Sequence, residues 1–153
     1  LPSMLDYRIQ AENGSMFNTP PTYGIYMAKL IFEWLEDLGG VEEMEKINRH
    51  KASLIYSFLD ESSMFRGNVD REYRSLMNVT FRSSSPELDS KFLKEAEKNG
   101  FVTLAGHKTA GGMRASIYNA MPVEGVQKLV EFMKDFEVKN SQGKIPEGRC
   151  LPE

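Results

Sequence analysis

The apolar residues of this chain change their spacing partway along, and that change limits the folds open to it. From Pro20 to about Leu38, Tyr23, Tyr26, Met27, Leu30, Ile31, Trp34, Leu35 and Leu38 recur at helical spacing, with Ile25 and Phe32 widening the stripe. A stripe so broad predicts packing on more than one neighbour. Gly39-Gly40 stops this helix, and a second runs from Val41 to Glu61 with Met44, Ile47, Lys51, Leu54, Ile55 and Phe58 along one side. At "LMNVTF" the period drops to two. Met77, Val79 and Phe81 face one way, Asn78 and Thr80 the other, which predicts a strand. A chain that switches period in this way stacks helices on a sheet.

The remainder extends the pattern. "SSSPELDSKFLKEAEKNG" reads as a helix with Ser85 as cap, Pro86 at its first position, Leu88, Phe92, Leu93 and Ala96 inside, and Gly100 as its stop. "FVTL" and "MRASIY" read as short strands on either side of the loop "AGHKTAGG". Pro122 opens a last helix whose core face is Val126, Leu129, Val130, Met133 and Phe136. From about Asn140, "NSQGKIPEGRCLPE" has turn formers without periodicity and reads as a flexible tail. Two helices followed by strand–helix–strand–strand–helix predict an α/β (α+β) sandwich, a small sheet with helices packed on one face.

Charge and cysteine usage exclude several roles. Net charge is −3 at pH 7, which does not suit nucleic acid as a partner for the chain as a whole. No apolar run approaches the roughly 20 residues that a membrane-spanning helix needs. Cys150 is the only cysteine, so an internal disulfide and a multi-cysteine metal site are excluded, and a reducing cytoplasm is expected. "LPSMLDYRIQ" lacks the basic-then-apolar pattern of a secretory signal, and its opening on Leu1 suggests a chain cut from a longer one.

A small anion is a different matter, because local basic residues decide it. The stretch "GHKTAGGMRAS", 106–116, places His107, Lys108 and Arg114 on a glycine-rich loop and the strand it feeds. Arg114 carries a planar fork suited to a carboxylate or phosphate, and His107 and Lys108 add donors. Both an anion site and a solvated basic hairpin fit this pattern. It is not a phosphate-binding P-loop, whose motif needs a glycine where His107 stands. In "SMFNTPPTYGIY", 15–26, Asn18 and Thr19 precede a double proline at a helix start, where N–H groups and the helix dipole favour a phosphate. Plain capping by Thr19 is the other reading. His50, between Arg49 and Lys51, reads as part of a solvated face, and the two histidines lack metal-ligand spacing.

Five segments, "NGSMFNTPPTYGIYMAKLIFEWL", "GGVEEMEKINRHKASLIY", "RSLMNVTF", "GHKTAGGMRASIYNAMP" and "EGVQKLVEFMKDFE", together resemble the phosphoserine aminotransferase family, from about Leu1 to Val138. The part resembled is the C-terminal portion of a class V, fold-type I enzyme that uses pyridoxal 5'-phosphate. The resemblance implies a mainly antiparallel small domain preceded by a long connecting helix. It divides the chain into an active-site loop segment (1-19), the connecting helix (20-40), the small domain (41-139) and the tail (140-153).

It further implies that Asn18 and Thr19 reach the cofactor phosphate across a homodimer interface. By the same resemblance, Arg114 is expected to bind the substrate α-carboxylate, and His107 and Lys108 the substrate phosphate or the distal carboxylate of glutamate. Lys108 stands where the family has arginine, which keeps the charge and loses the fork. The implied reaction moves an amino group between L-glutamate and 3-phosphohydroxypyruvate, giving O-phospho-L-serine and 2-oxoglutarate in serine biosynthesis. The family's Schiff-base lysine, the aspartate facing the pyridinium nitrogen and the stacking aromatic belong upstream of Leu1. No catalytic residue is therefore expected within these 153 residues, nor stable binding of pyridoxal 5'-phosphate by them alone. A class V aminotransferase with a different acceptor and a stand-alone anion- or partner-binding module are the competing readings.

Overall fold

The computed structural model describes residues 1–108 and 111–141, which form two compact units, Leu1–Glu42 and Glu43–Glu153. The tail lies outside the described residues from 142 onward, and Cys150 with it.

The first unit holds two helices. α1, Tyr7–Glu12, starts where the Asp6 carboxylate accepts the Arg8 N–H at 3.0 Å. α2 spans Thr22–Asp37, and Gly39 beyond it takes φ +101, the left-handed turn the sequence predicts there. Its start corrects one expectation. Pro21, not Thr19, occupies the N-cap, and no side chain caps the helix. Two successive prolines hold the chain extended until Thr22, so Thr19 is too far upstream to reach the first turn.

The second unit builds the predicted sandwich. α3 runs Gly40–Glu61 and is followed by a two-residue strand, β1, Arg66–Gly67. β2 is Asn78–Arg82, α4 is Pro86–Lys98, β3 is Met113–Ser116 and α5 is Val123–Ser141. The strands lie in the order β1-β2-β3, all antiparallel, with Arg66 opposite Arg82, Phe81 opposite Met113 and Thr80 opposite Arg114. Ser85 caps α4 as expected, its hydroxyl accepting the Leu88 N–H at 3.3 Å behind Pro86 at the first position.

One face of the sheet is the floor of the core. Val79, Phe81, Met113 and Ala115 point into it and meet Ile55 of α3, Phe92 of α4, and Met133 and Phe136 of α5. At its centre Phe65, Phe81, Phe92 and Phe136 pack edge to face, with Phe92 5.2 Å from both Phe65 and Phe136 between ring centres. Asn78, Thr80, Arg82, Arg114 and Ser116 alternate onto the other face.

One expectation along this unit is corrected, one short strand is added, and the last helix reaches Ser141. "FVTL" is not a strand. Thr103 takes φ +60, which turns the chain out of line, and only an Ala105–Met113 bridge and an Arg114 N–H bond to the Leu104 carbonyl at 2.7 Å remain. β1 escapes sequence reading because two residues carry no period. The last helix passes Asn140, whose side-chain amide donates to the Phe136 carbonyl at 2.7 Å and whose oxygen accepts from Lys91 at 2.6 Å.

Candidate functional site

The basic loop is shaped by contacts that only glycine permits. A Cβ on Gly106 would stand 2.1 Å from the Gly111 carbonyl oxygen, and one on Gly112, at φ +65, would stand 2.7 Å from the Phe81 carbonyl. The Gly106 N–H donates to the Gly112 carbonyl at 2.9 Å, and the Gly111 N–H to the His107 carbonyl at 2.8 Å. The loop is thus pinched at its base and seated on β2. That seat holds exposed His107 and Lys108 out from the end of the sheet that carries Arg114.

Arg114 is the most constrained of the three. Its backbone pairs on both sides, with Thr80 across the sheet and with the Leu104 carbonyl. Its side chain lies on the sheet face away from the core, and its Nε is buried with no hydrogen-bond partner among the described residues. A buried guanidinium N–H without an acceptor costs about 1–3 kcal/mol, a cost that an ordered water or a bound anion relieves; Arg74 on the loop before β2 carries another such Nε. Beside Arg114 opens a cleft of about 370 Å³, lined by Phe101, Val102, Leu104, Ile117 and Leu129 among others.

The floor beneath the site rests on a residue that sequence reading placed without a role. Lys51, fully buried on α3, donates from Nζ to the carbonyls of Ile117 (3.2 Å), Tyr118 (2.7 Å) and Met121 (3.1 Å), gathering the turn that leaves β3. Burial pulls the pKa of this ammonium below its ordinary value, while three carbonyl dipoles favour its charged form. Asn48, one turn earlier, donates to the Asn119 side chain at 2.8 Å. The signal for Lys51 was its place in an apolar row, where a lysine belongs only if it finds acceptors.

Asn18 and Thr19 belong to the first unit. The Asn18 amide donates to the Met4 sulfur at 3.1 Å, a weak acceptor, and both residues are exposed. His50 is exposed, as the sequence predicts. Among the described residues no cluster of three or more His, Cys, Asp or Glu could hold a metal ion, and no helix is long and apolar enough to cross a membrane.

Comparison with known proteins bears on the same segments. Residues 2–129 match the family model for aminotransferase class-V. The chain is 56% identical over 139 residues to phosphoserine aminotransferase of Bacillus cereus, which covers 91% of this chain and 39% of that protein. It is 56% identical over 142 residues to that of Streptococcus suis, with 92% and 39% covered. Among solved structures, phosphoserine aminotransferase of Bacillus circulans subsp. alkalophilus superposes with a TM-score of 0.85 at 49% identity, covering 92% of this chain and 39% of that one. The pyridoxal phosphate-bound phosphoserine aminotransferase of Trichomonas vaginalis gives 0.77 at 41% identity, covering 88% and 39%. This chain spans about two fifths of the length of the relatives it matches, at their C-terminal end. It belongs to the class-V aminotransferase family.

Proposed function

We propose that the chain is the substrate-gripping C-terminal part of a phosphoserine aminotransferase. The proposed protein transfers an amino group between L-glutamate and 3-phosphohydroxypyruvate, as a cytoplasmic homodimer. The observation that carries this reading is the buried Nε of Arg114, without a partner among the described residues, on the strand leaving the pinched glycine loop. That group suits a carboxylate, the feature common to both substrates, and His107 and Lys108 suit the phosphate or the distal carboxylate.

For pyridoxal phosphate the donors fit as far as this chain supplies them. Thr19 is not spent on capping α2, and Asn18 spends its amide on a weak sulfur contact, so both suit the oxygens of a phosphate. The cofactor, when bound, supplies the electron sink through which the amino group is exchanged. This chain's residues bind and orient around it, and the Schiff-base lysine is supplied from outside these residues.

Steady-state kinetics of the full-length protein test the proposal. Arg114→Lys is expected to raise KM for both substrates with little change in folding, since losing a bidentate contact costs about 2–3 kcal/mol. Unchanged kinetics would remove Arg114 from the site. The chain alone is expected to show no turnover; turnover by it would overturn the assignment of the missing chemistry to the rest of the protein.

A further inference from the structure

Two asparagine–glycine pairs occur in this chain, Asn13-Gly14 and Asn99-Gly100, and the fold places them alike. Each asparagine ends a helix in nearly the same conformation, φ −100 and ψ 14 at Asn13 after α1, φ −94 and ψ 12 at Asn99 after α4. Each side-chain amide donates to the carbonyl one turn back at 2.8 Å, that of Ile9 for Asn13 and of Glu95 for Asn99. The Gly14 N–H donates to the Ala11 carbonyl and the Gly100 N–H to that of Glu97, both at 3.1 Å. All four residues are exposed. The helices differ in what holds them. α4 has 13 residues, buries Phe92 and Ala96, and has the Ala96 carbonyl tied to the Phe101 N–H at 2.9 Å just beyond its end. α1 has 6 residues and buries none. A short helix without a buried side chain opens at little cost, whereas opening the last turn of α4 uncovers Ala96 and breaks the bond to Phe101.

We infer that Asn13 is a site of spontaneous deamidation, held in check only by the bonds that close the end of α1. The Gly14 nitrogen attacks Cγ of Asn13. The N–Cγ bond forms, the Cγ–Nδ2 bond breaks, and ammonia leaves with the proton from the Gly14 N–H. Water then opens the cyclic imide at either carbonyl, giving aspartate or isoaspartate, with no oxidant or reductant. Glycine favours the attack because no Cβ shields its nitrogen. While the helix end is closed, Nδ2 and the Gly14 N–H are both engaged, and fraying of α1 frees them together. The product does not restore that end. A carboxylate at position 13 offers no donor to the Ile9 carbonyl and puts negative charge at a helix C-terminus, where the dipole disfavours it. The conversion therefore loosens, in one direction only, the segment that leads to Asn18 and Thr19. The modification stands without the transaminase reading; only its bearing on those two residues rests on that reading.

The experiment ages the full-length protein in mildly alkaline buffer and follows both pairs by peptide mapping, with isoaspartate read by enzymatic methylation. Asn13 is expected to convert about tenfold faster than Asn99, and faster still as pH rises, because the attacking nitrogen must give up its proton. In urea, where both helices are open, the two rates are expected to fall within about threefold of each other. Gly14→Ala, which shields the nitrogen, is expected to slow conversion at Asn13 and leave Asn99 as it was. Equal rates in the folded protein, or a faster Asn99, overturn the inference, as does an Asn13 that stays unmodified. A rate difference that persists undiminished in urea overturns it too, because local sequence rather than the fold would then set it. None of these readouts depends on turnover. A protein that deamidates at Asn13 and does not transaminate leaves this inference standing and defeats only the proposed function.

Discussion

α2 and α3 are consecutive amphipathic helices with opposite fates. α2 carries the broader apolar stripe, yet none of its residues is buried, and Trp34 remains 39% exposed. α3 is the more polar helix, yet it buries Met44, Asn48, Lys51, Ala52, Ile55, Phe58 and Leu59. Hydrophobicity therefore does not say where a helix packs. α3 has the core face of a sheet to meet, whereas the stripe of α2 has no such cover in its own unit. An uncovered stripe of this size is a surface awaiting a partner.

The contrast can be broken most sharply in the core. Phe92 is fully buried against Phe65, Phe81, Phe132 and Phe136, so Phe92→Ala is expected to cost about 3–5 kcal/mol in urea unfolding. A loss below about 1 kcal/mol would mean that the core is not packed as described.

Next in size is Lys51. Lys51→Met keeps the volume and leaves the Ile117, Tyr118 and Met121 carbonyls without their donor, at an expected cost of about 2–3 kcal/mol. If the variant is as stable as the parent, water or another donor serves those carbonyls, and α3 owes its burial to apolar contacts alone.

A smaller effect comes from Glu137 on α5. Burial pushes its carboxyl pKa up, but the Ser63 and Ser62 hydroxyls and the Ser63 and Met64 N–H groups outweigh that, and the net shift is downward. A depressed folded-state pKa gives stability that is present above the unfolded value of 4.5 and is lost as pH falls through the folded value. The melting temperature should drop below pH 4.5 more steeply in the parent than in Glu137→Gln. Parallel pH profiles would show that the carboxylate is not held by this turn.

The smallest effect is expected in α2. Leu30→Ser should change the stability of the chain alone by less than about 0.5 kcal/mol and lower any self-association seen by light scattering. In the full-length protein the same change should cost several times more. Equal costs in the two would show that the stripe finds no partner there.

Much of this was legible because it depends on neighbours in sequence. The spacing of Val126, Leu129, Val130, Met133 and Phe136 commits α5 to one face. Ser85-Pro86 starts α4, and Gly111-Gly112 allows the sharp loop before Arg114. Those are local rules of period, capping and allowed φ, and the chain obeys them wherever it is placed. The gathering of His107, Lys108 and Arg114 on one loop and the strand it feeds was legible too, because the three lie within eight residues of one another.

What the sequence left undecided depends on residues far apart along the chain. "FVTL" has strand composition, but the strained turn at Thr103 and its seat beside β3 were settled by packing. Lys51 meets carbonyls 66 to 70 residues away, and Arg82 meets Asn68 across a register that no periodicity encodes. Sequence period fixes which side of an element is apolar. Only the tertiary structure decides which element faces it, since burial and hydrogen bonding act between surfaces that the chain must first bring together.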